Sequence, residues 1–252
     1  MKLFIINLTF LAIASSCGSF NKNKDALNIA VAANMKAPMD SIVKVFKQNT
    51  GITCKIYSNS SGTINTQVEQ GAPYDIFISA NTIYPENLFR KKIAESPVLY
   101  ASGRLTLVSH KSFKSNKIEN ILKSNDIKKI AIAFPEQAPY GKAAIEVLTN
   151  LNLNKSLKKK IVYGESISQV NQLFVTNSVD AAFTSYSFLN TYSEECYNLN
   201  INSNLHSEIK QSAVCLIKKN KMKLKKQKEF ITFLVSQKCQ DILKYYGYQN
   251  IK

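Results

Sequence analysis

LNIAVAANMKAPMDSIVKVFKQNTGITCKIY, residues 27–57, is the stretch that decides the fold. Residues 27–33 form a short apolar run ending in small side chains, the pattern of a buried strand. Residues 35–48 place Met39, Ile42, Val43 and Phe46 at helical spacing, and Asn49, Thr50 and Gly51 stop the helix. Residues 52–57 then read as a second strand. Strand, helix and strand in about thirty residues imply parallel neighbours joined by a crossover helix.

The alternation continues on both sides of this unit. Helix is predicted over 63–70, strand over 74–79, helix over 83–91, and a long extended apolar stretch over 97–109 that crosses over. A short helix follows at 118–122. A second set then begins: strand 129–134, helix 141–151, strand 160–163, helix 166–176 and strand 181–184. A strand at 212–218 and helices near 225–235 and 237–246 complete the chain. Two such sets predict an α/β protein of two lobes, each a mixed, mostly parallel sheet flanked by helices. The lobes are expected at 27–104 plus 206–252 and at 105–205. In such sheets ligands sit at the carboxyl ends of strands, against helix N-termini.

The first residues set the compartment. MKLFIINLTFLAIASSC, residues 1–17, has Lys2 as a short positive segment and an apolar run over 3–14 too short to span a bilayer. Ala14, Ser15 and Ser16 lead into Cys17, which resembles the lipobox of bacterial lipoprotein signals. That resemblance implies a signal peptide over 1–16, cleavage before Cys17, lipid on its thiol, and a polar tether over 17–26. The alternative is an ordinary secretory signal with Cys17 incidental. No other apolar run approaches 18 residues, so the chain is expected to be exported, anchored at most by lipid and otherwise soluble. Cys54, Cys196, Cys215 and Cys239 are too widely spaced for a metal motif, and no bridge is predicted.

The net charge of +16 over 252 residues invites a nucleic-acid reading. All but Arg90 and Arg104 of the 33 basic residues are lysine, and Asn is abundant too, so compositional bias accounts for the charge better than a base-reading surface does. The densest basic run, 218–228, carries no aromatic residue for base stacking and reads as a solvated helix face. No nucleic-acid partner is expected.

Four predicted strand-to-helix junctions carry polar or small residues. They are Asn34 after the first strand, Ser60 and Ser61 after the second, Pro139 and Tyr140 before the helix at 141, and Ser166 and Ile167 before the helix that follows. Each offers unpaired N–H groups and the positive end of a helix dipole, which together favour an anion. Asn34 stands where an N-cap belongs, and its side chain could also donate to a ligand. By themselves the four junctions imply only a small anion or polar ligand in a cleft.

Residues 30–39 (AVAANMKAPM), 60–81 (SSGTINTQVEQGAPYDIFISAN), 135–144 (PEQAPYGKAA) and 244–248 (KYYGY) together resemble the molybdate-binding proteins of ABC importers, in the family's order over about 27–248. GAPYDIFISAN is the most specific segment. The resemblance implies a type II periplasmic binding protein fold that closes on molybdate or tungstate, no cofactor, an ABC permease as partner, and a monomer. It places Asn34 at the first-loop ligand residue and Ser61 at the serine that donates both hydroxyl and N–H. Tyr140 and Ile167 fall on backbone N–H donors. A tyrosine that gives its hydroxyl in one branch of the family falls at Thr184, with Ser185 or Tyr186 as alternatives. Gly62 replaces a serine, which is expected to widen the pocket.

The residue types agree with that chemistry. Molybdate is an acceptor-only dianion at neutral pH, so neutral donors and helix dipoles can satisfy it without a salt bridge. None of these positions carries a carboxylate. Asp75 reads as structural, bonding loop N–H groups, and Glu165 is left open. The alternatives are another oxyanion such as sulfate or phosphate and, more remotely, an exported serine hydrolase. Only His110 and His206 could serve as imidazole bases, and neither lies in a nucleophile motif. No catalytic residue and no free metal cation are expected.

Overall fold

The computed structural model describes residues 25–217 and 221–251, with the backbone alone at 221 and 222. The expected signal peptide and Cys17 lie outside the described residues. Of the 17–26 tether only Asp25 and Ala26 are described, and both belong to the body. Ala26 is buried, and Lys226 Nζ pairs with Asp25 Oδ1 at 3.0 Å. The folded body thus begins slightly before Leu27.

Among the described residues ten strands form two sheets of five. The strands are β1 Leu27–Ala32, β2 Cys54–Asn59, β3 Ile76–Ser79, β4 Val98–Gly103, β5 Leu105–Ser109, β6 Ile130–Ala133, β7 Ile161–Gly164, β8 Ala181–Ser185, β9 Tyr197–Asn200 and β10 Ile209–Cys215. The helices are α1 Lys36–Thr50, α2 Ser61–Glu69, α3 Ile83–Arg90, α4 Ile118–Lys123, α5 Pro139–Asn150, α6 Asn154–Leu157, α7 Ile167–Val175, α8 Lys221–Leu234 and α9 Gln237–Tyr245. None is long and apolar enough to cross a membrane.

Both sheets share one plan. The first runs β2-β1-β3-β10-β4 and the second β7-β6-β8-β5-β9. In each, three neighbours are parallel and the fourth strand is antiparallel to both its neighbours. That antiparallel strand is where the chain crosses: β5 enters the second sheet from β4, and β10 returns to the first after β9.

Burial on both faces explains the near-continuous apolar strands. Leu27, Ile29 and Val31 of β1 pack on α1, α8 and α9, where Phe46 meets the Phe230 ring edge-on at 5.0 Å. Ala30 and Phe77 face the opposite side, with Ile64 of α2 and Leu88 of α3. Gly51 closes α1 at φ +74°, where an L side chain would be strained. The core of the second lobe also takes in Ala32, Ala80 and Ile209 from the tips of first-sheet strands, so the lobes touch directly.

Several elements differ from the sequence reading: α6 was not expected, and β10 runs over Ile209–Cys215 instead of 212–218. The single stretch expected at 97–109 is two strands broken at Arg104, whose carbonyl accepts the Tyr186 N–H at 2.9 Å and whose guanidinium lies 4.1 Å over the Tyr186 ring. β9 was not expected, because YNLN lacks a strand's apolar character; its backbone is held by pairing with β5.

Candidate functional site

The carboxyl ends of the central strands meet between the lobes. There Ala32, Ala33, Asn34, Ser60, Ser61, Ala80, Ala138, Pro139, Tyr140 and Ile167 line one small cavity. All four expected junctions contribute: β1 into the turn before α1, β2 into α2, β6 into α5 and β7 into α7. No charged side chain is among the lining residues.

The helix starts supply the donors. Ser60 caps α2 by accepting the Thr63 N–H at 3.3 Å, and Ser166 caps α7 by accepting that of Gln169 at 3.4 Å. These caps use later N–H groups and leave the first ones free. Among the described residues, no protein acceptor takes the N–H of Asn34, Ser61, Tyr140 or Ile167. Ser61 Oγ accepts the Ala80 N–H at 3.0 Å, so its own proton remains available to a ligand. Gly141 lets α5 start this close to β6, because a Cβ there would sit 1.9 Å from the Ala133 carbonyl oxygen.

Asn34 differs from the sequence reading. It lies in a 3-10 turn, Ala33–Met35, and caps no helix with its side chain. Its amide donates to Gln211 Oε1 at 3.1 Å and to the Tyr248 hydroxyl at 2.9 Å. Both amide hydrogens are therefore taken, and the donor residue 34 can offer the cavity is its backbone N–H. The Asn34 carbonyl accepts from Tyr248 at 2.9 Å and from Ser187 Oγ of the other lobe at 3.0 Å.

Thr184 and Ser185 do not reach the cavity. The Thr184 hydroxyl donates to Asn171 Oδ1 on α7. Ser187 gives its single proton to Asn34, so Ser185 donates to Ser187 across 2.9 Å. Tyr186 is held at Arg104 instead. Thr184 and Ser185 thus bond within the second lobe, and only Ser187 reaches across to Asn34, which spacing alone does not show. Gly62 also departs from expectation, since it adjoins the other lobe instead of widening the cavity.

Behind the cavity lies a buried, uncharged network that the sequence reading missed. Gln211 Oε1 accepts from Asn34 and from the Tyr100 hydroxyl at 3.3 Å, while its Nε2 donates to the Tyr140 hydroxyl at 3.4 Å. Tyr140 thus presents its N–H to the cavity and sends its ring into the first lobe, against Gly103. Burial pushes the phenols of Tyr100 and Tyr140 well above the usual tyrosine value, and that of Tyr248 up to about 12. These hydroxyls therefore stay neutral. Gln211 stands just before the strand expected at 212–218, among Lys210 and Ser212, so no local signal marked it as buried.

The remaining polar groups lie elsewhere. Asp75 is fully buried, with its Oδ2 accepting the Asn28 N–H at 2.8 Å and Lys223 Nζ at 2.9 Å. Glu165 is exposed, His110 stacks on Phe174 at 3.9 Å, and His206 is half-buried with its Nδ1 on the Ser207 carbonyl at 2.7 Å. None of these lines the cavity. A wider groove of about 430 Å³ lies beside it, walled by both signs of charge: Glu136, the Lys142–Glu146 pair and the Lys210–Glu208 pair. Among the described residues no three His, Cys, Asp or Glu gather to hold a metal ion.

A small cavity ringed by helix starts and neutral donors suits an anion that offers only acceptors. A family model described as bacterial extracellular solute-binding protein matches residues 27–249. The chain is 34% identical to the molybdate-binding protein ModA of Rhodobacter capsulatus, covering 87% of this chain and 86% of that one. It is 29% identical to the putative ABC transporter substrate-binding lipoprotein YvgL of Bacillus subtilis, covering 98% and 97%. The periplasmic molybdate-binding protein of Azotobacter vinelandii superposes with a TM-score of 0.84 at 28% identity, covering 90% of this chain and all of that one.

Proposed function

The chain belongs to the bacterial extracellular solute-binding proteins, and from that premise we propose that it captures molybdate or tungstate between its lobes and hands it to an ABC permease. The observation that carries this reading is the convergence of four helix starts on a cavity lined by no charged side chain. Each helix start contributes partial positive charge as well as N–H donors. Asn34, Ser61, Tyr140 and Ile167 offer N–H groups, and Ser61 adds its hydroxyl. A dianion is satisfied there with no proton to place, whereas protonated phosphate would need an acceptor. Relatives named for molybdate support the same ligand.

The assignment carries no chemical step and no cofactor. The lobes are taken as 27–104 plus 206–252 and 105–205, and the protein as a monomer outside the cytoplasm. Cys17 is assigned as the lipid-bearing residue after removal of 1–16, a reading supported by the lipoprotein named among the relatives. Calorimetric titration with molybdate, tungstate, sulfate and phosphate tests the ligand. Heat from molybdate or tungstate is the expected result; heat from sulfate or phosphate alone would overturn it. Metabolic labelling with a fatty acid, lost in Cys17→Ser, tests the anchor.

A further inference from the structure

Residues 135–137 form a tight turn between β6 and α5, closed by the Gln137 N–H on the Phe134 carbonyl at 3.2 Å and the Ala138 N–H on the same oxygen at 2.9 Å. This turn meets the first lobe at the cavity mouth. The Gly62 N–H donates to the Gln137 carbonyl at 2.8 Å, Thr63 Oγ1 to Gln137 Oε1 at 3.0 Å, and the Tyr84 hydroxyl to the Glu136 carbonyl at 3.0 Å. A Cβ on Gly62 would stand 2.8 Å from Gln137 Cα and 2.9 Å from the Tyr84 hydroxyl. Gln137 Cα is backbone in a bonded turn and cannot swing aside as a side-chain tip would. In this chain a side chain at 62 therefore needs the turn to sit further from the first lobe.

We infer that Gly62 and the turn at 135–137 form the closure stop of the cleft: their contact sets how far the lobes close, and the three bonds hold them there. Gly62 and Gln137 do not line the cavity, so they act as positioning residues. By fixing the spacing between Ser61 on one lobe and Tyr140 on the other, they fix the size of oxyanion the donors can span. The inference rests on the oxyanion reading for its ligand but not for its geometry.

The test is stopped-flow binding of molybdate to the wild type, Gly62→Ala and Tyr84→Phe, followed by tyrosine fluorescence. The stop acts on the closed state, so dissociation should rise about tenfold in Gly62→Ala and less in Tyr84→Phe, with association little changed. The melting temperature without anion should stay near wild type, which a merely structural role would not allow. Unchanged dissociation in both variants overturns the proposal. If Gly62→Ala does not fold, Tyr84→Phe decides. If the wild type takes up no molybdate, the oxyanion reading fails separately, and amide exchange at residue 62 becomes the readout. Protection in the wild type that falls in Tyr84→Phe then supports the stop, and any other pattern overturns it.

Discussion

The Tyr248 hydroxyl and Asn34 are bonded reciprocally: the hydroxyl donates to the Asn34 carbonyl and accepts from Asn34 Nδ2, each at 2.9 Å. A residue near the chain's end thus orients the loop that follows its first strand. The pair is buried, so each group depends on the other for satisfaction.

Tyr248→Phe removes both bonds and leaves an amide hydrogen of Asn34 unpaired. Stability should fall by about 1–3 kcal/mol, the cost of an unsatisfied buried polar group. Molybdate affinity should fall as well, because the Asn34 N–H is no longer held toward the cavity. Thermal unfolding and titration calorimetry read the two effects.

Ser61→Ala should weaken molybdate binding by about 1–3 kcal/mol, since an acceptor-only dianion loses a donor that nothing replaces. Thr184→Val should leave affinity unchanged, because that hydroxyl is spent on Asn171. Calorimetry on the two variants separates a cavity-lining hydroxyl from a structural one. Equal losses would show that Thr184 reaches the ligand after all.

Stability should be lost at high pH in a defined window. Burial raises the thiols of Cys54 and Cys239 to about 12 and that of Cys215 to about 11, and the phenol of Tyr248 to about 12. The folded state therefore holds these protons more tightly than the unfolded chain does. Their contribution is whole below the unfolded values, near 9 for the thiols and 10 for the phenol, and declines as pH rises toward the folded ones. Urea unfolding from pH 7 to 11 should show falling stability above about pH 9. Tyr248→Phe should make the slope above pH 10 shallower.

Lys223→Met should destabilise the fold by about 1–3 kcal/mol, because it takes one ammonium away from the fully buried Asp75 carboxylate, which keeps its other contacts, the Asn28 N–H among them. Molybdate affinity should hold, since neither residue lines the cavity. Denaturant unfolding and titration on the same preparation distinguish this outcome from a site effect.

Much of the fold and part of the site were legible in the sequence. Period and punctuation mark the strands and helices from 27 to 57, because local sterics and solvent act on each residue where it stands. The four helix starts were readable for the same reason: a strand's end and the cap that follows it are neighbours in the chain. What Asn34 does with its amide was not readable, since Gln211 and Tyr248 lie 177 and 214 residues away. Nor was the part played by Gly62, whose missing Cβ matters only because another lobe's backbone arrives beside it. Thr184 and Ser185 were misplaced because one strand's alternation says which residues share a face, not what stands opposite that face. By itself the sequence determined most of the elements and which helix starts could hold an anion. The tertiary structure alone decided which donors remain free, because a hydrogen bond is settled by whichever partner lies within about 3 Å in space, however distant along the chain.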